Sequence, residues 1–356
     1  MRKKINFKMI RNVLLFIILI VLTYWLIFRE QDMNQLMDLI RSSDKTFIIL
    51  GILSMFCYFC MEAYNVKSLL KVFGDKISFI SALKFTWIGF FFSSITPAVS
   101  GGQPIEIYYM TKEKISGANA TLVLLIQLCG FQISTIFLGI LCAILCPSII
   151  SNGLIWLYLL GLTINGIALS LMLIGVFSKK ITKKLINIFI KLLKIAKIKQ
   201  IDEKKKRIEE GLDTYNESAV FIKNNKNEFI KAILRVFVQV CFYYTVPFLV
   251  YKSFGFNTYN YFQIFAMQSV LYTTVSSLPL PGAIGISETV FLSIFKPAFG
   301  DALSGAMLLS RGITFYLYVI ISLLVVIINA VKMKNVLGEI DNKVRKIEGK
   351  DNLVNA

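Results

Sequence analysis

The chain has 356 residues, 56% of them hydrophobic, with 39 Lys+Arg against 21 Asp+Glu and no histidine, and its mean hydropathy is +0.67. Soluble domains are about 45–50% apolar and lack apolar runs near 20 residues, so a polytopic membrane protein is expected and a separate soluble domain is not. The missing histidine excludes Ser-His-Asp and Cys-His catalysis, histidine-ligated metals and histidine proton relays. The formal charge of +18 is assigned to loops facing anionic membrane lipid and not to nucleic acid.

In chain order, a basic start leads into an apolar run at residues 12–28, followed by Arg29-Glu30-Gln31-Asp32 and no small-residue cleavage pattern. This is expected to be a retained first helix. A second helix is expected at 46–66, containing Glu62, with Lys67, Lys71 and Lys76 in a basic turn after it. Residues 79–99 are apolar except for Lys84, and lead into a Pro/Gly-rich break. A short helix at 104–114 and long ones at 118–146 and 153–177 follow. Segment 178–228 is strongly basic. Its residues 179–199 place Ile181, Leu185, Ile188, Leu192 and Ile195 three and four apart, as in an amphipathic helix lying on a membrane surface or a solvated hairpin. Helices are then expected at 229–251, where Arg235 reads as a snorkelling anchor, at 261–280, at 283–295 and at 302–331, before a polar tail at 333–356. The six cysteines all lie in apolar runs. Cys57 and Cys60 have no second pair to complete a zinc site, so no metal, disulfide framework or cofactor is expected.

Charge sets the expected topology. A full span needs about 20 residues. With the N-terminus cytoplasmic and each broken element entering and leaving on one side, 31 of the 39 Lys+Arg fall on the cytoplasmic side and 5 outside. Both termini are then cytoplasmic. The expected fold is all-α, with about eight apparent spans: six full spans and two re-entrant broken-helix pairs. Residues 1–146 and 153–332 become inverted repeats, the plan of alternating-access carriers.

The two breaks carry the chemistry. The first is Ser93-Ser94-Ile95-Thr96-Pro97-Ala98-Val99-Ser100-Gly101-Gly102-Gln103-Pro104-Ile105-Glu106. The second is Ser276-Ser277-Leu278-Pro279-Leu280-Pro281-Gly282-Ala283-Ile284-Gly285-Ile286-Ser287-Glu288. Each has a serine pair, a Pro/Gly interruption and a carboxylate just beyond it. Broken helices at matching positions of two halves point to a binding site near mid-membrane, and ordinary loops between helices are the plainer alternative. A half-helix N-terminus offers free N–H groups to a phosphate. Ser100 is placed as a helix cap and Pro104 in the first turn. Gly101, Gly102, Gln103, Pro281, Gly282 and Gly285 would let a headgroup approach the backbone. Glu106 and Glu288 would receive an ammonium or a coupling proton, or only stabilise their helix N-termini. Arg311 would pair with a lipid phosphate or, structurally, with Glu288. Glu62 and Lys84 are weaker candidates, placed near an interface. Glu288→Gln is expected to abolish transport while leaving expression intact.

Thr96-Pro97, Ser100-Gly101-Gly102-Gln103-Pro104 and Ile107-Tyr108-Tyr109 form the first half of a signature. Pro279-Leu280-Pro281-Gly282, Gly285, Glu288 and Leu309-Ser310-Arg311-Gly312-Ile313-Thr314-Phe315-Tyr316 form the second. Together they resemble the lysylphosphatidylglycerol synthase transmembrane family, the flippase-like membrane module of the multiple peptide resistance factors. The resemblance spans about residues 5–335. Ala283 stands where many relatives have glycine. The resemblance implies a lipid translocase in a bacterial plasma membrane, moving lysyl-phosphatidylglycerol or a related phospholipid between leaflets, and resistance to cationic antimicrobial peptides. Relatives that carry a cytoplasmic synthase domain transfer lysine from lysyl-tRNA to phosphatidylglycerol. That domain is expected to be missing here, so phosphatidylglycerol lysyltransferase, or its membrane subunit, is the alternative. A separate synthase or a second copy of the chain are the implied partners. No nucleotide-binding Gly-x-x-x-x-Gly-Lys-Ser/Thr motif is present.

Overall fold

A computed structural model describes residues 40–96, 102–150, 153–177, 223–276 and 285–330, together with Asp38 and Val220. The expected helix at 12–28, the basic amphipathic segment, the tail and the centres of both breaks lie outside the described residues. Those described form helices and turns, with no strand among them. They comprise α1 (Lys45–Val72), α2 (Phe79–Ser94), α3 (Gly102–Lys112), α4 (Gly117–Leu145) and α5 (Ile155–Phe177). After these come α6 (Lys226–Ser253), α7 (Tyr261–Val275), α8 (Ile286–Phe299) and α9 (Leu303–Arg311). α9 runs through a π-helical turn (Gly312–Tyr316) and continues as helix to residue 330.

Among the described residues, five helical stretches are long and apolar enough to cross a membrane: α1, α4, α5, α6 and the run from Ile286 to Ala330. Their outer faces carry large apolar side chains with no protein neighbour to cover them. Ile144 on α4 is 70% exposed and Trp156 on α5 77%. A water-soluble chain hides such faces, and lipid covers them in a membrane protein. α2 and α7 have 16 and 15 residues. At 1.5 Å per residue each is about 24 Å long, short of a hydrocarbon core of about 30 Å.

One expected boundary is corrected. The second helix does not stop at Val66 but runs to Val72, so Lys67 and Lys71 lie on its last turns and not in a basic turn. Lysine is a good helix former, and nothing interrupts the pattern until Gly74, whose φ is +89°. Asp44 caps the other end by accepting from the Thr46 amide at 2.8 Å.

α1 and α6 form the central pair. The Asp44 amide donates to the Ser253 carbonyl at 2.8 Å, and Ser54 Oγ donates to the Phe242 carbonyl at 2.8 Å. Further along, Glu62 meets Gln239 and Asn65 meets Arg235. Residue numbers rise on one helix as they fall on the other, so the two are antiparallel.

α3 doubles back along α2 in the same sense. Lys84 pairs with Glu113, Gly89 faces Glu106 and Ser93 faces Gly102. The approach is closest at Gly102, where an added Cβ would lie 1.9 Å from Ser93 Oγ and 2.5 Å from the Gly89 carbonyl oxygen. The carbonyl cannot move without moving α2. Gly102→Ala is therefore expected to cost about 1–3 kcal/mol, the range for overpacking, read as a lower melting temperature in detergent. An unchanged value would mean that α2 and α3 do not meet there.

α5 secures the far end of α7. Asn165 is fully buried and donates to the Thr273 carbonyl at 3.1 Å. Its side chain also bonds that of Ser276, at 3.1 and 3.2 Å. A carbonyl left open at a helix end thus gains a partner just where the second break begins.

Candidate headgroup cavity

Between the two broken pairs lies a cavity of about 270 Å³. Its polar wall includes Glu62 from α1, Gln103 and Glu106 from α3, Gln239 from α6, and Ser310 and Arg311 from α9. Tyr58, Tyr243 and Tyr272 form an aromatic wall. The Tyr243 ring lies 5.9 Å from that of Tyr58 and 5.3 Å from that of Tyr272. The volume falls just below the usual range for small-molecule sites, about 300–1,000 Å³.

Glu106 is 4% exposed. Its Oε1 has no hydrogen-bond partner among the described residues. Oε2 packs against α2, where an added Cβ at Gly89 would lie 2.6 Å away. Only glycine at 89 leaves the carboxylate that position. An unpartnered buried carboxylate is costly, and this one lines the cavity. Ser310 Oγ is also buried there without a partner.

Glu288 is held quite differently. It is fully buried. Oε2 accepts from the Gly285 amide at 2.7 Å and from Ser287 Oγ at 2.9 Å, while Oε1 accepts from Arg311 Nε at 2.8 Å. Gly285 has a φ of +90°, which lets its amide turn back toward the carboxylate. Of the two roles the sequence left open, this geometry provides the helix cap and the ion pair. The Arg311 guanidinium also lies 4.7 Å from the Phe315 ring centroid, in the π-helical turn, an irregularity often found at functional sites.

The structure thus brings Gln103, Glu106 and Arg311 to one cavity, with Glu288 behind the arginine and Gly285 beside it. Gly102 serves the α2–α3 contact and is not part of the cavity lining. Ser100, Gly101, Pro281 and Gly282 lie outside the described residues. Lys84 pairs with Glu113 across α2 and α3. Glu62, a weaker candidate from the sequence, lines the cavity.

Sequence reasoning overlooked a buried polar chain behind Glu62. Arg235 donates to Asn65 Oδ1 at 3.3 Å. Asn65 Nδ2 donates to Gln127 Oε1 at 2.5 Å, Gln127 Nε2 to Gln239 Oε1 at 2.8 Å, and Gln239 Nε2 to Glu62 Oε2 at 2.9 Å. Arg235 also lies over the Tyr64 ring at 5.5 Å. The available signal was three neutral amides within apolar runs. No group of three or more Cys, Asp or Glu able to hold a metal occurs among the described residues.

The family model described as "Lysylphosphatidylglycerol synthase TM region" matches residues 12–322. A "UPF0104 membrane protein" of Archaeoglobus fulgidus is 26% identical over 100 residues, 28% of this chain. The match spans 30% of that relative's length.

Proposed function

This chain belongs to the lysylphosphatidylglycerol synthase transmembrane family, and from that membership we propose that it is a lipid translocase. It moves a phospholipid headgroup between leaflets of a bacterial plasma membrane, for lysyl-phosphatidylglycerol or a related lipid, and so opposes cationic antimicrobial peptides. The observation that carries this reading is the unpartnered Glu106 carboxylate in the same cavity as Arg311. The arginine side suits a lipid phosphate and the acidic side a cationic group.

The series α1–α4 and the series from α6 to residue 330 have matching order: long helix, short helix, short helix, long helix. This supports reading them as inverted repeats, which would open the cavity to each leaflet in turn. The family description favours a second reading, the membrane part of a phosphatidylglycerol lysyltransferase working with a separate synthase. Lipid extracts of expressing cells separate the two, since only that reading predicts new lysyl lipid.

The direct test is leaflet exchange of labelled lipids in liposomes holding the purified chain, comparing lysyl-phosphatidylglycerol, phosphatidylglycerol and a zwitterionic control. Faster exchange of one headgroup is expected. No acceleration for any lipid, with folded protein verified, would overturn the translocase reading.

A further inference from the structure

The polar chain behind Glu62 has a fixed direction. A side-chain amide can face either way. Arg235, however, only donates, so Asn65 must accept with its oxygen and donate onward with its nitrogen. The same constraint passes to Gln127 and Gln239. Asn65, Gln127 and Gln239 are buried at 0%, 6% and 1% exposure, which leaves little water to relieve it. Glu62 therefore receives an N–H donor whose orientation is set at the far end by a guanidinium. Such chains polarise along their length. Glu62 Oε2 is thereby held as an acceptor at the cavity wall.

Glu106 lines the same cavity, with one buried oxygen that has no partner among the described residues. Glu62, Glu106 and Glu288 face or flank the cavity with Arg311 as the one cation among its described lining residues, and that cation is engaged by Glu288. Bringing a phosphate into this site adds a negative charge beside the carboxyl groups of Glu62 and Glu106. Buried like charges are tolerated only when balanced.

We propose that Glu62 and Glu106 together bind a monovalent cation, with Arg235, Asn65, Gln127 and Gln239 as positioning residues that orient Glu62 toward it. The chemistry is shared by a free alkali cation and by the ammonium of an aminoacylated headgroup. An anionic lipid would enter with the free cation, and an aminoacylated lipid brings its own positive charge. The role in transport rests on the translocase reading. The cation site itself does not.

The test is thermal unfolding of the full chain in lipid nanodiscs at constant ionic strength, titrating sodium, potassium or methylammonium against N-methylglucamine. A saturable rise in melting temperature with an alkali cation is expected, and it should disappear in Glu62→Gln and Glu106→Gln. Arg235→Gln lies outside the cavity lining and keeps both carboxylates. It should weaken the cation about 10- to 100-fold, as outer-shell changes do at metal sites, while Arg235→Lys, still a donor, should largely restore binding. A rise with methylammonium alone would overturn the free-cation source and leave an ammonium seat. No rise with any of the three, or an undiminished rise in Glu106→Gln, would overturn the site.

Leaflet exchange in parallel keeps the two readings apart. Phosphatidylglycerol exchange that is undiminished in N-methylglucamine buffer sinks cation coupling and leaves the translocase standing. Cation binding without exchange of any lipid does the reverse.

Discussion

Glu288→Ala is expected to destabilise the protein by about 3–5 kcal/mol, the cost of breaking a buried ion pair from one side. Glu288 is fully buried, and its removal leaves the Arg311 guanidinium without its counter-charge. It also strips the Gly285 amide and the Ser287 hydroxyl of their acceptor. The discriminating variant is the double change Glu288→Gln with Arg311→Gln. Replacing both partners of a buried pair with groups of similar size is often near neutral, and two amides can still hydrogen-bond. The double variant should therefore melt well above Glu288→Ala yet stay inactive in leaflet exchange, because no guanidinium remains for the phosphate. A double variant melting no higher than the single one would show that the pair is not what stabilises this end of the cavity. An active one would remove Arg311 from the mechanism.

Glu106→Gln should give the opposite pattern, normal stability with exchange lowered about 10- to 150-fold. That is the range for one hydrogen bond to a charged group, about 1.5–3 kcal/mol. Glu106 Oε1 has no partner to lose among the described residues, so a neutral amide of the same shape costs the fold little. Melting temperature and exchange rate measured on one preparation check both halves. A variant that is equally active would place the cationic group elsewhere. One that is inactive only because it unfolds would return Glu106 to a structural role.

Much of this architecture was legible before any coordinates. Apolar runs place the long helices, since their pattern is set by lipid alone, and the Pro/Gly interruptions place the short ones. Glu106 and Arg311 stood out because an ionisable side chain in an apolar run always needs a reason. Glu62 was underweighted for want of depth: a sequence gives the distance along a helix but not which neighbour covers which turn. Asn65, Gln127 and Gln239 sit on three different helices and mean little apart. Their significance comes from one tertiary arrangement. The closeness of Gly89 and Gly102 was likewise hidden, since each glycine is required by an atom on the opposite arm.

The amide chain behind Glu62 also bears on how the protein is made. Gln127 and its partner Gln239 are 112 residues apart, and Asn65 and Arg235 are 170 apart. When α1 and α4 first enter the bilayer, α6 has not yet left the ribosome. Glu62 then lacks its amide donor and Gln127 its acceptor, in a solvent that offers neither. The nascent first half is thus an intermediate with unmet polar demand, and α6 relieves it in one step. A truncation before α6 would leave those groups exposed to lipid and mark the product for the cell's membrane proteases. Separate first and second halves, produced together, would protect one another only by meeting along α1 and α6.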